Sequence, residues 1–140
     1  MSEFSGEPAG HARREPADEA ILETIRRYQS TFSADDRDGW LALFAEDAVL
    51  EDPVGSAPHE GREAIAAFWD AVHASTERGT VRMTQGPAVC GLEAAWAFEL
   101  DVTVKGRRSL VEIIDHGTFT EDGRIRSIRA FWSATTARPG

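Results

Sequence analysis

The stretch Ala94-Ala95-Trp96-Ala97-Phe98-Glu99-Leu100-Asp101-Val102-Thr103-Val104-Lys105-Gly106-Arg107-Arg108-Ser109-Leu110-Val111-Glu112-Ile113-Ile114-Asp115-His116-Gly117-Thr118-Phe119 carries the fold of this chain. From Trp96 to Val104 a large apolar side chain falls on every second position, the period of a strand with one buried face. Lys105-Gly106 makes a tight turn, and Ser109 to Phe119 forms the returning strand. One face of that strand carries Val111, Ile113, Asp115, Gly117 and Phe119. The other carries Leu110, Glu112, Ile114, His116 and Thr118. Asp122-Gly123 is a strong hairpin signal into a further strand over Ile125 to Ser133. Upstream, Val81 to Thr84 reads as a shorter strand, and Val89 to Gly91 has no decisive period.

Outward from the strands, the pattern becomes helical. Ile21, Ile25, Tyr28 and Phe32 recur at i, i+4, i+7 and i+11, one stripe of an amphipathic helix beginning near Ala17. Asp36 or Asp38 can cap a second helix carrying Trp40, Leu41, Leu43 and Phe44. A short strand, Ala48 to Asp52, stops at Pro53, which donates no ladder bond. A Gly-containing loop then leads to a third helix whose face holds Ile65, Phe68, Trp69 and Val72. Helices first and hairpin-linked strands later predict an α+β fold: about three N-terminal helices against one face of a curved, mostly antiparallel sheet, a cone with an apolar interior.

The chain has 140 residues, no repeat and 41% hydrophobic residues, enough for one packed core. We expect a flexible leader over 1–16, without the apolar centre of a signal peptide, and a single domain over 17–136. The apolar runs are too short to span a membrane. A net charge of −9 argues against nucleic acid and anionic membrane as partners. Cys90, the only cysteine, permits no intrachain disulfide, which fits a cytoplasmic protein, and is expected to be buried. His11, His59, His73 and His116 have no metal-ligand spacing, and phosphate-binding Gly-rich loops are absent, so neither metal nor cofactor is expected.

Three polar residues stand out. Asp115 shares its row with Val111, Ile113 and Phe119. Burial there would disfavour its charged form and make it a neutral donor, unless it pairs with Arg82, Arg126 or Arg129 or the strand's register instead turns it to water. Asp52 ends a strand at a loop, a place for a general base or for an ordinary solvated turn residue. Tyr28, the only tyrosine, lies on a helix stripe, where packing is the ordinary role. Glu51, beside Asp52, should face the other way into solvent.

Taken together, these residues stand in familiar surroundings. The runs Phe44-Ala45-Glu46-Asp47-Ala48-Val49-Leu50-Glu51-Asp52-Pro53-Val54-Gly55, His59 to Trp69, Phe119 to Ile125 and Ala130-Phe131-Trp132-Ser133 resemble the bacterial Δ5-3-ketosteroid isomerases of the nuclear-transport-factor-like, or SnoaL-like, superfamily. The likeness runs from Tyr28 to Trp132. The spacings of 24 residues from Tyr28 to Asp52 and 63 from Asp52 to Asp115 match the family's tyrosine, base and acid. What the resemblance implies is a steroid Δ-isomerase. Asp52 would carry a proton from C4 to C6 of a 3-oxo-Δ5-steroid, while Tyr28 and protonated Asp115 donate to the C3 oxygen of the dienolate. Phe68, Trp69, Trp96, Phe98 and Trp132 are the expected substrate-binding residues, and a homodimer through the outer sheet face is expected. Phe44 and Trp69 stand where some members carry tyrosines that extend the hydrogen-bond network, so that relay would be shorter here. Two rival functions share the fold: an isomerase or cyclase acting on a non-steroid, polyketide-like ketone, and a non-catalytic binder of hydrophobic small molecules.

Overall fold

The computed structural model describes residues 13–140; residues 1–12, most of the expected leader, lie outside the described residues. The described residues form three α-helices and a seven-stranded sheet, in the order α1 (Pro16–Ser33), α2 (Arg37–Leu41), β1 (Phe44–Glu51), β2 (His59–Glu60), α3 (Arg62–Ser75), β3 (Arg78–Cys90), β4 (Glu93–Val104), β5 (Arg107–Phe119), β6 (Ile125–Phe131) and β7 (Ala137–Pro139). The strand order is β2-β1-β6-β5-β4-β3, with β7 paired to β5. Every pairing is antiparallel except β1 with β6.

Local chemistry sets the helix ends. Pro16 occupies the first turn of α1, where a missing N–H costs nothing. Glu15 and Asp18 cap that turn reciprocally. The expected stripe is buried at Ile21, Ile25 and Tyr28. Asp36 caps α2 by accepting from the Gly39 amide at 3.0 Å. Helix α2 is shorter than its apolar pattern suggests. The Leu43 carbonyl accepts from the Ile125 amide, and Phe44 pairs with Ile125, so the sheet claims the residues expected to continue the helix. Arg62 donates from Nε and Nη2 to the Phe44 carbonyl at 3.0 and 2.6 Å, clamping the start of α3 to the start of β1.

The hairpin of β4 and β5 is as its alternation predicts. Trp96 stands opposite Asp115, Phe98 opposite Ile113 and Leu100 opposite Val111. The buried row of β5 is Val111, Ile113, Asp115, Gly117 and Phe119. Gly117 has a packing reason to lack a side chain: a Cβ there would stand 3.1 Å from the Phe119 ring and 3.3 Å from that of Trp96. Two readings are corrected. The expected strand Val81 to Thr84 is longer than predicted and takes in most of the undecided segment after it as one strand, β3, whose register slips between Met83 and Ala88 and so breaks its alternation. Cys90 is exposed, because it sits at the end of that edge strand. A 3-10 turn, Ala134–Thr136, lets β7 pair with the half of β5 that β6 does not reach.

Sheet and helices bury one core, whose largest fully buried side chains include Trp40, Phe44, Phe119 and Ile21. The outer sheet face carries ion pairs, Arg108 with Asp101 and Arg138 with Glu99, beside exposed Ile114 and Phe131. No helix among the described residues is long and apolar enough to cross a membrane.

Candidate active site

Three elements bring the singled-out residues to one cavity. Tyr28 comes from the middle of α1, Asp52 from the residue after β1 and Asp115 from the middle of β5, and all three line a single space of about 300 Å³. The remaining wall is mostly aromatic and aliphatic. Phe68, Phe98 and Trp132 stand around the polar groups, and Leu100, Val102 and Val104 continue the wall along β4. Such a cavity binds through apolar contact and orients its ligand with few polar groups.

Asp115 is 1% exposed and forms no ion pair among the described residues. Arg82 pairs with Glu99, Arg129 pairs with Glu51, and Arg126 faces solvent. The ion-pair alternative therefore fails. Burial pushes the Asp115 carboxyl well above the usual carboxylate range, and the charge of Asp52 pushes it the same way. Its Oδ1 has no hydrogen-bond partner among the described residues. Burial also raises the Tyr28 hydroxyl, with both aspartates adding to the effect. The Tyr28 ring is held by Trp40, stacked at 5.7 Å between centroids, and by the edges of Phe44 and Trp96.

Asp52 is half-buried, and its carboxyl is raised by that burial. The rise is opposed by the Trp132 indole, which donates to Oδ1 at 2.6 Å, and more weakly by His59. The two aspartates are thus driven apart. The one that can receive an N–H bond ionises first, and the one without a donor stays neutral longest. Glu51 is not free in solvent as expected. It bonds Arg129 and the Gly55 amide, which fixes the loop that begins at Asp52.

Of the expected wall residues, Phe68, Phe98 and Trp132 line the cavity, whereas Trp69 and Trp96 do not. Trp69 stacks on His73 at 3.8 Å and tilts against Trp40, inside the helical layer. Trp96 is 2% exposed and donates from Nε1 to Gln29 Oε1 at 3.3 Å. Both are core residues behind the wall, since the helices cover their rings. The bond from Trp132 to Asp52 has no signal in the sequence and follows from the strand pairing. Parallel pairing of Leu50 with Ile128 and Glu51 with Arg129 carries the residues beyond β1 toward those beyond β6, and the Val54 amide donates to the Ala130 carbonyl. Phe32, Gln29 and Trp40 also line the cavity and were missed. No group of His, Cys, Asp and Glu residues among those described is arranged to hold a metal ion.

Comparison with known proteins bears on the family and the fold. The SnoaL-like domain model matches residues 25–128. A steroid Delta-isomerase from Nocardioides simplex is 38% identical over 116 residues, covering 81% of this chain and 89% of that one. The epoxide hydrolase LasB of Streptomyces lasalocidi is 34% identical over 138 residues, covering 89% of this chain but 46% of that protein. Among solved structures, RV0760c of Mycobacterium tuberculosis in complex with estradiol-17beta-hemisuccinate superposes with a TM-score of 0.76 at 29% identity, covering 85% of this chain and 98% of that one. With a family match across most of its length and the cone of helices and curved sheet to go with it, this chain belongs to the SnoaL-like domain family.

Proposed function

We propose that this protein is a steroid Δ-isomerase. The observation that carries the reading is one apolar cavity holding a half-buried carboxylate and, buried beside it, a tyrosine and a second carboxyl that favours its neutral form. Shifting a double bond toward a ketone requires removal of a carbon-bound proton, so a base must be near the carbon and donors near the oxygen. Asp52 takes the proton from C4 of a 3-oxo-Δ5-steroid, and the electron pair moves onto the C3 oxygen. Tyr28 and neutral Asp115 donate hydrogen bonds to that oxygen. Asp52 then returns the proton to C6 as the ketone re-forms, now conjugated with C4=C5, and no atom is gained or lost. The likeness to the Nocardioides isomerase and to a fold that holds a steroid ester supports this substrate class. The deciding experiment is to watch the conjugated enone appear from such a steroid with wild type and with Asp52→Asn.

A second reading keeps the same groups on a different substrate, a polyketide-like ketone or an epoxide, and is favoured by the likeness to LasB. Turnover of the steroid rejects it; turnover of the ketone or epoxide alone, again dependent on Asp52, supports it. The exposed Ile114 and Phe131 fit a homodimer through the outer sheet face.

Tyr28→Phe should weaken binding of a phenolic steroid, which imitates the dienolate oxygen, by about ten- to a hundredfold, the worth of one hydrogen bond to a charged oxygen. Titration of estradiol followed by fluorescence measures it, and unchanged affinity would reduce Tyr28 to packing. Trp132→Phe should move the acid limb of kcat/KM to higher pH. Its indole N–H stabilises ionised Asp52, and without it the carboxyl protonates at higher pH. A limb that stays in place would mean that the indole does not hold the reactive form of Asp52.

A further inference from the structure

Gln29 and Thr76 are polar residues of the cavity that the proposed reaction leaves unused, and Gln29 has a side-chain nitrogen without a partner among the described residues. It follows Tyr28 on α1 and lines the same space. Its two amide ends are not equivalent. Trp96 Nε1 can only donate, so the end it meets at 3.3 Å is the carbonyl oxygen, Oε1. The NH2 group at the other end is buried and has no hydrogen-bond partner among the described residues. A buried amide left unpaired is costly, so a small turn of the Gln29 side chain toward the cavity it lines is favoured when a ligand there offers the NH2 group an acceptor. Trp40 Nε1 is also buried and unpartnered, but its ring is wedged against Tyr28, Phe44 and Trp69, and nothing orients its N–H as Trp96 orients Gln29.

The level of Gln29 in the cone is fixed from two sides. Trp96 is the cross-strand partner of Asp115, and Gln29 adjoins Tyr28 in the chain. The free amide therefore belongs to the end of the cavity where the carbonyl oxygen would sit, away from the aliphatic stretch of Leu100, Val102 and Val104. We propose that Gln29 is a specificity-determining residue whose amide N–H donates to a second oxygen of the substrate, a ketone, hydroxyl or ether close to the reacting carbonyl. The inference rests on the oxyanion site described under Proposed function and narrows its substrate class from simple ketones to oxygen-substituted ones.

The test uses three phenols of one skeleton: estradiol, which has a single oxygen on the aromatic ring, and 2-hydroxyestradiol and 4-hydroxyestradiol, which add a neighbouring oxygen on one side or the other. The readout is the ratio of catechol affinity to estradiol affinity within each protein, so that a general loss of binding cancels. In the wild type one of the two catechols should bind about tenfold tighter than estradiol, the worth of one satisfied donor. The preference should vanish in Gln29→Met. It should vanish too in the double variant Gln29→Leu with Trp96→Phe, which removes both partners of the internal bond and keeps the core apolar. Equal binding of all three phenols by the wild type, or a preference that survives in the folded double variant, overturns the proposal. If estradiol affinity still falls on Tyr28→Phe in that case, the oxyanion site stands and only the role of Gln29 is lost. If none of the three phenols binds, both readings fall together.

Discussion

Asp52→Asn should lower kcat on a 3-oxo-Δ5-steroid by about a thousandfold or more, the usual worth of a well-placed general base. The variant suits the question because little else changes. Asparagine has nearly the shape of aspartate and keeps an oxygen to accept from the Trp132 indole, which now bonds Asp52 Oδ1 at 2.6 Å. It also removes the desolvation that raises the Asp52 carboxyl, so the folded state should be no less stable at neutral pH. Loss of activity with an unchanged melting temperature and undiminished estradiol binding would place Asp52 at the proton transfer. A non-catalytic binder predicts the opposite, since neither function nor ligand affinity would then need a base. A variant that turns over the steroid as fast as the wild type would remove Asp52 from the proton transfer, and a folded wild type that leaves the steroid unchanged would sink the isomerase reading.

The order in which the chain gives up its secrets has a physical basis. The α+β cone was legible because period-two strands joined by Lys105-Gly106 and Asp122-Gly123 leave little choice of pairing, and because the stripe of Ile21, Ile25 and Tyr28 demands a partner face. The inward direction of Asp115 followed from the same parity. What parity cannot show is which inward residues meet a cavity and which meet another side chain. Trp69 and Trp96 point inward as expected and are covered by their neighbours, whereas Phe68 and Phe98 on the same elements reach the cavity. That distinction depends on how far the helices stand from the sheet. The short α2 was hidden for a similar reason. Leu43 and Phe44 have helical spacing, yet their backbone groups serve the parallel pairing with β6, a partner some eighty residues away. Trp132 was identified as a wall residue and not as the donor to Asp52, because that bond spans two strand ends whose register appears only once β1 and β6 lie side by side.

Asp115 offers the sharpest separation of chemistry from packing, because its two informative substitutions affect stability and activity differently. Asn keeps a donor and removes the ionisable proton; Leu keeps volume and removes both. Activity should therefore fall in the order wild type, Asp115→Asn, Asp115→Leu, with the leucine variant lower by about a hundredfold or more, the worth of one lost donor to a developing oxyanion. The pH dependence of stability gives an independent check. Burial raises the Asp115 carboxyl in the folded state, while in the unfolded chain it titrates in the ordinary range. Between those two values the folded protein binds more protons than the unfolded one, so this group makes stability fall as pH rises through that window. The slope is about 1.4 kcal/mol per pH unit for one fully linked proton. Either substitution deletes the titrating group. The change of the urea midpoint from acid to neutral pH should therefore be more negative in the wild type than in Asp115→Asn or Asp115→Leu, over a background that all three share, set by Asp52, which is raised, and by Glu23, Glu51, Asp70, Asp101 and Asp122, which are lowered. A wild-type change no more negative than that of the variants would mean that Asp115 ionises normally inside the fold. Equal activities of the Asn and Leu variants would mean that it donates nothing to the oxyanion. A neutral acid that serves as a donor must show both the excess slope and the ordered activities.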